Sequence, residues 1–248
     1  MIDVAVDAAK KAGELALRYF KNLPKVEYKP DNTPVTRADR DAELLIRKII
    51  SKKFPDHGII GEEFEAINPS ARFKWVIDPI DGTKSFIRKL PLWSTLLAVL
   101  ENGKPIIAVA YYPYLNEIFA AKKGKGTYLN DKKTKVSKIK SLNRATLNHN
   151  SIIRIEPHLP LNKFMEFYRR TEVHRNLSSY AYNQILKGNI DIDLIGTGHI
   201  YDFAAPALLV EEAGGKFTDF EGKFSLTSNN AVFSNGLLHS KIIKLLNE

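Results

Sequence analysis

Cysteine is absent from the 248 residues, and methionine and tryptophan occur only twice each. The first absence excludes a disulfide-stapled scaffold, zinc held by thiolates and a cysteine nucleophile. No apolar run approaches the roughly 20 residues that cross a bilayer; residues 96–100, Leu-Leu-Ala-Val-Leu, are typical of those present. The opening stretch carries charges too often for a secretory signal, so the expectation is a cytoplasmic protein with no membrane association. Internal repeats, low-complexity tracts and flexible linkers are also missing. What remains is an ordinary globular composition, 44% hydrophobic, 10% aromatic and 26% charged. A chain of this length buries a sizeable core without staples.

Charge is the one imbalance. Thirty-seven Lys+Arg stand against 28 Asp+Glu, a formal net charge of +9. Such a surplus suits nucleic acid, a membrane surface or a phosphorylated small molecule. Much of it lies in residues 122–140, KKGKGTYLNDKKTKVSKIK. That stretch reads as a solvated hairpin whose lysines guard a sheet edge. No aromatic ladder accompanies the lysines to stack bases, so no nucleic-acid partner is expected. The Lys/Glu-rich, methionine-poor composition also fits a heat-adapted protein.

Two rhythms divide the chain. Val4, Ala8, Leu15 and Tyr19 recur at helical spacing, and a second helix starts from Thr36 as N-cap and runs to Lys53. Short apolar runs follow at residues 58–61, 73–78, 95–101, 106–112, 117–121 and 127–130, with hairpin signals at Asn102-Gly103 and Gly124–Gly126. They predict a meandering, largely antiparallel sheet. From about residue 145, strands at 147–153, 190–195, 216–219 and 231–234 mix with helices at 161–170, 180–187, 202–213 and 237–246. Residues 1–145 therefore read as an α+β half and residues 146–248 as a smaller α/β half.

Three acidic constellations carry chemistry: Gly61-Glu62-Glu63 after a strand, the run Trp75-Val76-Ile77-Asp78-Pro79-Ile80-Asp81-Gly82-Thr83, and Asp202 opening an apolar helix. Singly, each has a plain reading as surface, turn or helix cap. In the second, a buried strand delivers Asp78 to its end, and a Pro-Gly-bounded turn lets Asp81 point at the same spot with the Ile80 carbonyl between them. Converging carboxylates repel, and a hard divalent cation relieves the conflict. Oxygen donors without Cys or clustered His favour Mg²⁺ or Mn²⁺ over zinc. Residues 82–86 then read as the first turn of a short helix, whose free amides attract an anion. A metal site and a phosphate cradle on one loop are what metal-assisted phosphate ester hydrolysis requires.

These blocks, together with Lys29-Pro30-Asp31-Asn32-Thr33-Pro34-Val35-Thr36-Arg37-Ala38-Asp39 and the run from Tyr201-Asp202-Phe203-Ala204-Ala205 to Glu212-Ala213-Gly214-Gly215, resemble the inositol monophosphatase / fructose-1,6-bisphosphatase superfamily of lithium-sensitive, magnesium-dependent sugar phosphatases. The resemblance spans nearly the whole chain. It implies a layered α-β-α-β-α sandwich, usually a homodimer, with two or three Mg²⁺ and with Mn²⁺ as a substitute. It implies that Glu62, Asp78 and the Ile80 carbonyl hold one metal, that Asp78, Asp81 and Asp202 hold a second, and that Glu62 or Glu63 helps to hold a third. Thr83 oriented by Asp39 resembles the pair that activates the attacking water, with Glu63 also counted among the catalytic residues. Asp81 and the Gly82 and Thr83 amides would hold the substrate phosphate.

The match weakens where the sugar should bind. A Gly-Ser/Thr-Ala-Ala stretch common in relatives is replaced by Asn176-Leu177-Ser178-Ser179, an expected acidic residue is Ile195, and a usual tryptophan is Tyr201. Arg175, Asn176, Ser178 and Tyr180 are the candidate sugar contacts. His199 is the only histidine expected near the site, and Lys84 is a cation in the phosphate loop. The expected activity is hydrolysis of inositol 1-phosphate, fructose 1,6-bisphosphate or both. A 3′-phosphoadenosine nucleotide or histidinol phosphate is the alternative substrate, and a nucleic-acid-binding protein is the remote one.

Overall fold

Two large sheets and three helical layers alternate in the computed structural model, which describes residues 1–248. The outer layer pairs α1 (Ile2–Lys21) with α2 (Arg37–Lys53). The face of α1 is built from Ala5, Ala8, Ala9, Ala12 and Ala16, small enough to lie flush on the sheet beneath. A β-carbon on Gly13 would sit 2.6 Å from the Tyr111 ring, so only glycine permits that approach. Thr36 caps α2 as expected: its hydroxyl accepts the Ala38 amide at 3.1 Å.

The larger sheet has the order β3 (Gly58–Gly61), β4 (Phe73–Asp81), β5 (Ser94–Glu101), β6 (Lys104–Tyr112), β7 (Glu117–Lys122), β8 (Gly126–Leu129) and β9 (Lys132–Lys133). It is the expected meander except that β3 runs parallel to β4, an order that sequence periodicity does not encode. The lysine-rich stretch forms the β7–β8–β9 edge, as the hairpin reading anticipated. A second sheet of five strands lies in the order β11 (Val173–Arg175), β10 (Thr146–His149), β12 (Ile192–Ile195), β14 (Ala231–Ser234) and β13 (Lys216–Thr218).

The strand expected over 147–153 stops at His149, and a short helix, α4 (Ile152–Ile155), follows. Of its isoleucines only Ile155 is buried, while Ile153 is 80% exposed. The apolar run therefore overstated the strand. The brief strands β1 (Val26–Tyr28), β2 (Pro34–Thr36) and β11 were not anticipated.

Between the sheets lie α6 (Tyr180–Leu186) and α7 (Ile200–Glu212), whose Phe203, Ala204, Ala207, Leu208 and Val210 join the largest core cluster. Helices α5 (Leu161–Arg169) and α8 (His239–Asn247) close the far side over Leu147, Ile192, Leu194 and Val232. The layers are therefore α-β-α-β-α. Strand alternation decides which side chains look inward. On β4, Trp75 and Ile77 face the α1–α2 layer, whereas Val76 packs with the α7 layer, and Asp78 follows Val76 by two.

Candidate metal and phosphate site

Strict alternation would send Asp78 and Asp81 to opposite faces. The β4–β5 register shifts between them, and this irregularity re-aims Asp81. Pro79 has no amide to give the ladder, and its carbonyl accepts the Thr95 hydroxyl at 2.9 Å. Ile80 buries its side chain with Phe86 and Trp93, anchoring the turn. Opposite stands the start of α7. Asp202 is its third residue, and its carboxylate accepts the His199 amide at 2.5 Å. Pro206, one turn on, removes the intrahelical bond that would close on the Asp202 carbonyl. One carboxylate oxygen each from Asp78, Asp81 and Asp202 lies within 4.8 Å of the others.

Asp78 and Asp81 are 2% and 7% exposed. Asp78 Oδ1 and Asp81 Oδ2 are sealed from solvent with no hydrogen-bond partner. Burial, then the charges of Glu62, Asp81 and Asp202, push the Asp78 carboxyl well above the usual range. Burial and Asp202 do the same to Asp81. Burial raises Asp202 to about 6 despite the His199 amide. Orphaned buried oxygens on mutually repelling carboxylates are costly unless a cation gathers them. The donor set is all oxygen, which suits Mg²⁺ or Mn²⁺.

Glu62 and Glu63 stand beside this cluster, bridged by Lys29, whose Nζ lies 2.9 Å from Glu62 Oε1 and 2.7 Å from Glu63 Oε1. Burial alone would lower the Lys29 pKa, but the two carboxylates hold it above its ordinary value. Burial outweighs Lys29 at both acids: Glu62 is raised, and Glu63 is pushed to about 7 with Glu62 adding to it. The loop has its own support. Glu43 takes the Glu63 amide at 2.8 Å and pairs with Arg47 at 2.7 Å, and Arg47 also donates to the Phe64 and Glu65 carbonyls.

Gly82 opens α3 (Thr83–Ile87) with φ +95°, a left-handed conformation that suits glycine. Its carbonyl accepts from Ser85 and Phe86, leaving the first amides of the turn unspent. A β-carbon here would lie 2.9 Å from Ser179 Oγ and 3.1 Å from the Leu92 carbonyl. The Thr83 hydroxyl reaches the Ile80 carbonyl at 3.1 Å and Asp39 Oδ1 at 3.4 Å. Asp39 is held in turn: Thr36 donates its amide and hydroxyl to Oδ2 at 2.8 and 2.7 Å, so Oδ1 is left facing Thr83. Burial lifts the Asp39 carboxyl to about 6 against those two bonds.

A cavity of about 300 Å³ joins these pieces, lined by Glu62, Asp78, Ile80, Asp81, Gly82, Thr83 and Asp202 on one side. Of the expected sugar contacts, Ser178 lines it and Arg175, Asn176 and Tyr180 do not. Arg175 turns back onto the His174 carbonyl, Asn176 onto the Asn150 carbonyl, and Tyr180 packs edge-on against Tyr112. The far wall comes instead from Asn150, Ser151, Arg154, Tyr182, Asp193 and Thr197. None of these six was foreseen, and neither was the Lys29 bridge. Lys84 lines the mouth, and His199 caps α7 with its ring tilted against Tyr201.

Comparison with known proteins bears on the family and the fold. The inositol monophosphatase family model matches residues 1–248. A Thermotoga maritima protein named fructose-1,6-bisphosphatase/inositol-1-monophosphatase is 36% identical over 252 residues, covering 100% of this chain and 96% of its own length. A Streptomyces coelicolor histidinol-phosphatase is 35% identical over 258 residues, covering 99% and 95%. Among solved structures, a Thermotoga maritima IMPase superposes with a TM-score of 0.89 at 33% identity, covering 99% of this chain and 96% of that one.

Proposed function

The chain belongs to the inositol monophosphatase family and is a phosphoric monoester hydrolase, and we propose that it is a Mg²⁺-dependent phosphatase of inositol 1-phosphate, fructose 1,6-bisphosphate or both. The observation that carries the reading is the convergence of Asp78, Asp81 and Asp202 within 4.8 Å, two of them with orphaned buried oxygens, beside the amides that open α3. The dual name of the Thermotoga maritima relative supports the pair of substrates.

In this reading Glu62, Asp78 and the Ile80 carbonyl hold one Mg²⁺, and Asp78, Asp81 and Asp202 hold another. Glu62 or Glu63 contributes to a third, and Mn²⁺ substitutes. Bound there, the ions supply charge for the phosphoryl transition state and make water a competent nucleophile near neutral pH. The chain does the rest. The Gly82 and Thr83 amides and the start of α3 receive the phosphate oxygens. Thr83 Oγ1, between the Ile80 carbonyl and Asp39 Oδ1, accepts and orients the attacking water, and Asp39 takes up the threonine proton. Thr36 keeps Asp39 in place through two hydrogen bonds. Lys29 keeps the facing carboxylates of Glu62 and Glu63 from repelling one another apart. No covalent phosphoenzyme is needed.

The same reading includes inhibition by Li⁺, a homodimer in solution and a cytoplasmic location. No helix is long and apolar enough to cross a membrane. Steady-state phosphate release under saturating Mg²⁺ tests the substrate, comparing inositol 1-phosphate, fructose 1,6-bisphosphate, 3′-phosphoadenosine 5′-phosphate and histidinol phosphate. Turnover of either of the last two alone would replace the proposed substrates.

A further inference from the structure

The cavity wall that faces the metal ligands is supplied by the five-stranded sheet. On β12, Ile192 and Leu194 face the core beneath α5 and α8, so Asp193 and Ile195 face the cavity, and both line it. Asp193 is 1% exposed. Its Oδ1 accepts the Asn148 side-chain amide at 2.7 Å across the parallel β10–β12 pair, where the two residues stand in register. No lysine, arginine or backbone amide answers this carboxyl, and its other oxygen has no partner in the protein. Burial pushes its pKa up to about 7, opposed only by Asn148.

Asn148 is equally buried at 1%. It turns its own oxygen to the Leu177 amide at 2.8 Å, next to Ser178 of the cavity. Tyr182, 4% exposed on α6, completes the wall with a hydroxyl that makes no hydrogen bond within the protein. The proposed hydrolysis uses none of these groups. Asp193 therefore lines the cavity with one oxygen uncommitted within the protein, and a donor that enters the cavity can pair with it. The donor cannot be the phosphate, which has no proton to spare once ionised and belongs at the opposite wall. Arg154, exposed on the same cavity and close enough for its charge to favour the Asp202 carboxylate, adds positive charge to this wall, which favours a neutral hydroxyl over a cationic ligand group.

We propose that Asp193, held by Asn148 and flanked by Tyr182, reads a hydroxyl of the substrate's alcohol portion. It thereby selects phosphate esters of polyols over esters of similar size that lack hydroxyls. A site built to pair with a hydroxyl rejects the analogue without one far more strongly than an apolar wall does. The inference rests on the phosphatase reading, and the two fail differently.

The test is the ratio of kcat/KM for inositol 1-phosphate to that for p-nitrophenyl phosphate, measured on the full chain with saturating Mg²⁺. Asp193→Asn keeps the volume and can still accept from Asn148. It should lower the ratio by about 10- to 100-fold, mostly through KM for the polyol ester. A ratio unchanged, whether both activities hold or both fall together, overturns the proposal. So does a loss confined to histidinol phosphate, which would make the wall a reader of an amine. Should Asp193→Asn fail to fold, Tyr182→Phe carries the same test with an expected fall of about 5-fold or more. Wild-type protein with no Mg²⁺-dependent phosphate release from either ester would instead remove the phosphatase reading, and this inference with it.

Discussion

Replacing Asp202 by Asn separates function from stability in opposite directions. Burial holds this carboxyl at about 6 against an ordinary 3.8. At about 1.36 kcal/mol per pKa unit, its ionisation in the metal-free fold costs about 3 kcal/mol. Because the folded pKa is raised, that cost is fully present above about pH 6 and vanishes as pH falls below the unfolded value. Asn carries no charge and still accepts the His199 amide, but it gives up an anion at a helix N-terminus, worth about 0.3–1 kcal/mol. The variant should therefore be more stable than wild type by about 2 kcal/mol at about pH 8 in EDTA, a Tm gain of about 4–8 °C for a chain of this size. At about pH 3 the two should melt together. His239, buried neutral with its pKa lowered to about 4, destabilises both proteins equally in acid and drops out of the difference. With Mg²⁺ the order reverses: wild type gains stability by binding, and the variant loses at least about 100-fold in turnover, the scale of removing one preorganised electrostatic group. Paired thermal melts in EDTA and Mg²⁺, with phosphate release alongside, decide it. A variant that melts below wild type in EDTA at about pH 8, or one that retains near-full Mg²⁺-dependent activity, refutes the assignment of Asp202 to a repelling, cation-gathered cluster.

Thr83→Val should lower kcat by about 10²- to 10⁴-fold with little change in KM, and single-turnover kinetics would locate the loss in the chemical step. Gly82→Ala forces a side chain into a left-handed conformation against Ser179 and the Leu92 carbonyl; a loss of about 1–3 kcal/mol in urea denaturation is expected, together with weaker phosphate affinity. Lys29→Met removes the bridge between Glu62 and Glu63 and should shift the Mg²⁺ concentration for half-maximal activity by about 10- to 100-fold, read by titration with calorimetry as a second measure. Retention on immobilised DNA or RNA should be weak and nearly flat with salt; a steep negative log–log slope would give the lysine-rich β7–β9 edge a partner.

How far the sequence disclosed the site follows from how local each part is. Asp78, the Ile80 carbonyl, Asp81, Gly82 and Thr83 lie within six consecutive residues, so strand, turn and helix signals sufficed to place them together. Asp39 and Asp202 needed the recognised pattern to bring them from distant stretches. Asp193 escaped because its outlook depends on β12 lying in register with β10, which sets it opposite Asn148; nothing within residues 190–195 states that pairing. Lys29 sat inside a quoted motif, yet its reach to Glu62 and Glu63 spans 33 and 34 residues of chain. Arg175 and Tyr180 drew notice for their chemistry, and the chain turns both elsewhere. Periodicity found the helices and most strands, while the parallel β3 and the break after His149 are tertiary outcomes that override local preference.

Helix α7 belongs to both sheets at once. Its far end is tied to the lysine-rich hairpin, where the Glu212 carboxylate accepts the Gly124 and Gly126 amides, each at 2.7 Å, and Thr127 clasps the Leu209 carbonyl at 2.6 Å. Its near end carries Asp202 to meet two aspartates of the larger sheet. The helix is thus a beam clasped at one tip by the hairpin; at the other it is held by the His199 cap and by Phe203 and Ala204 in the core, with the repelling carboxylates at its very end. On the proposed reading, a divalent ion gathered by Asp78, Asp81 and Asp202 would tie this end of α7 to the larger sheet, so readying the enzyme for turnover would also stiffen the joint between its two sheets.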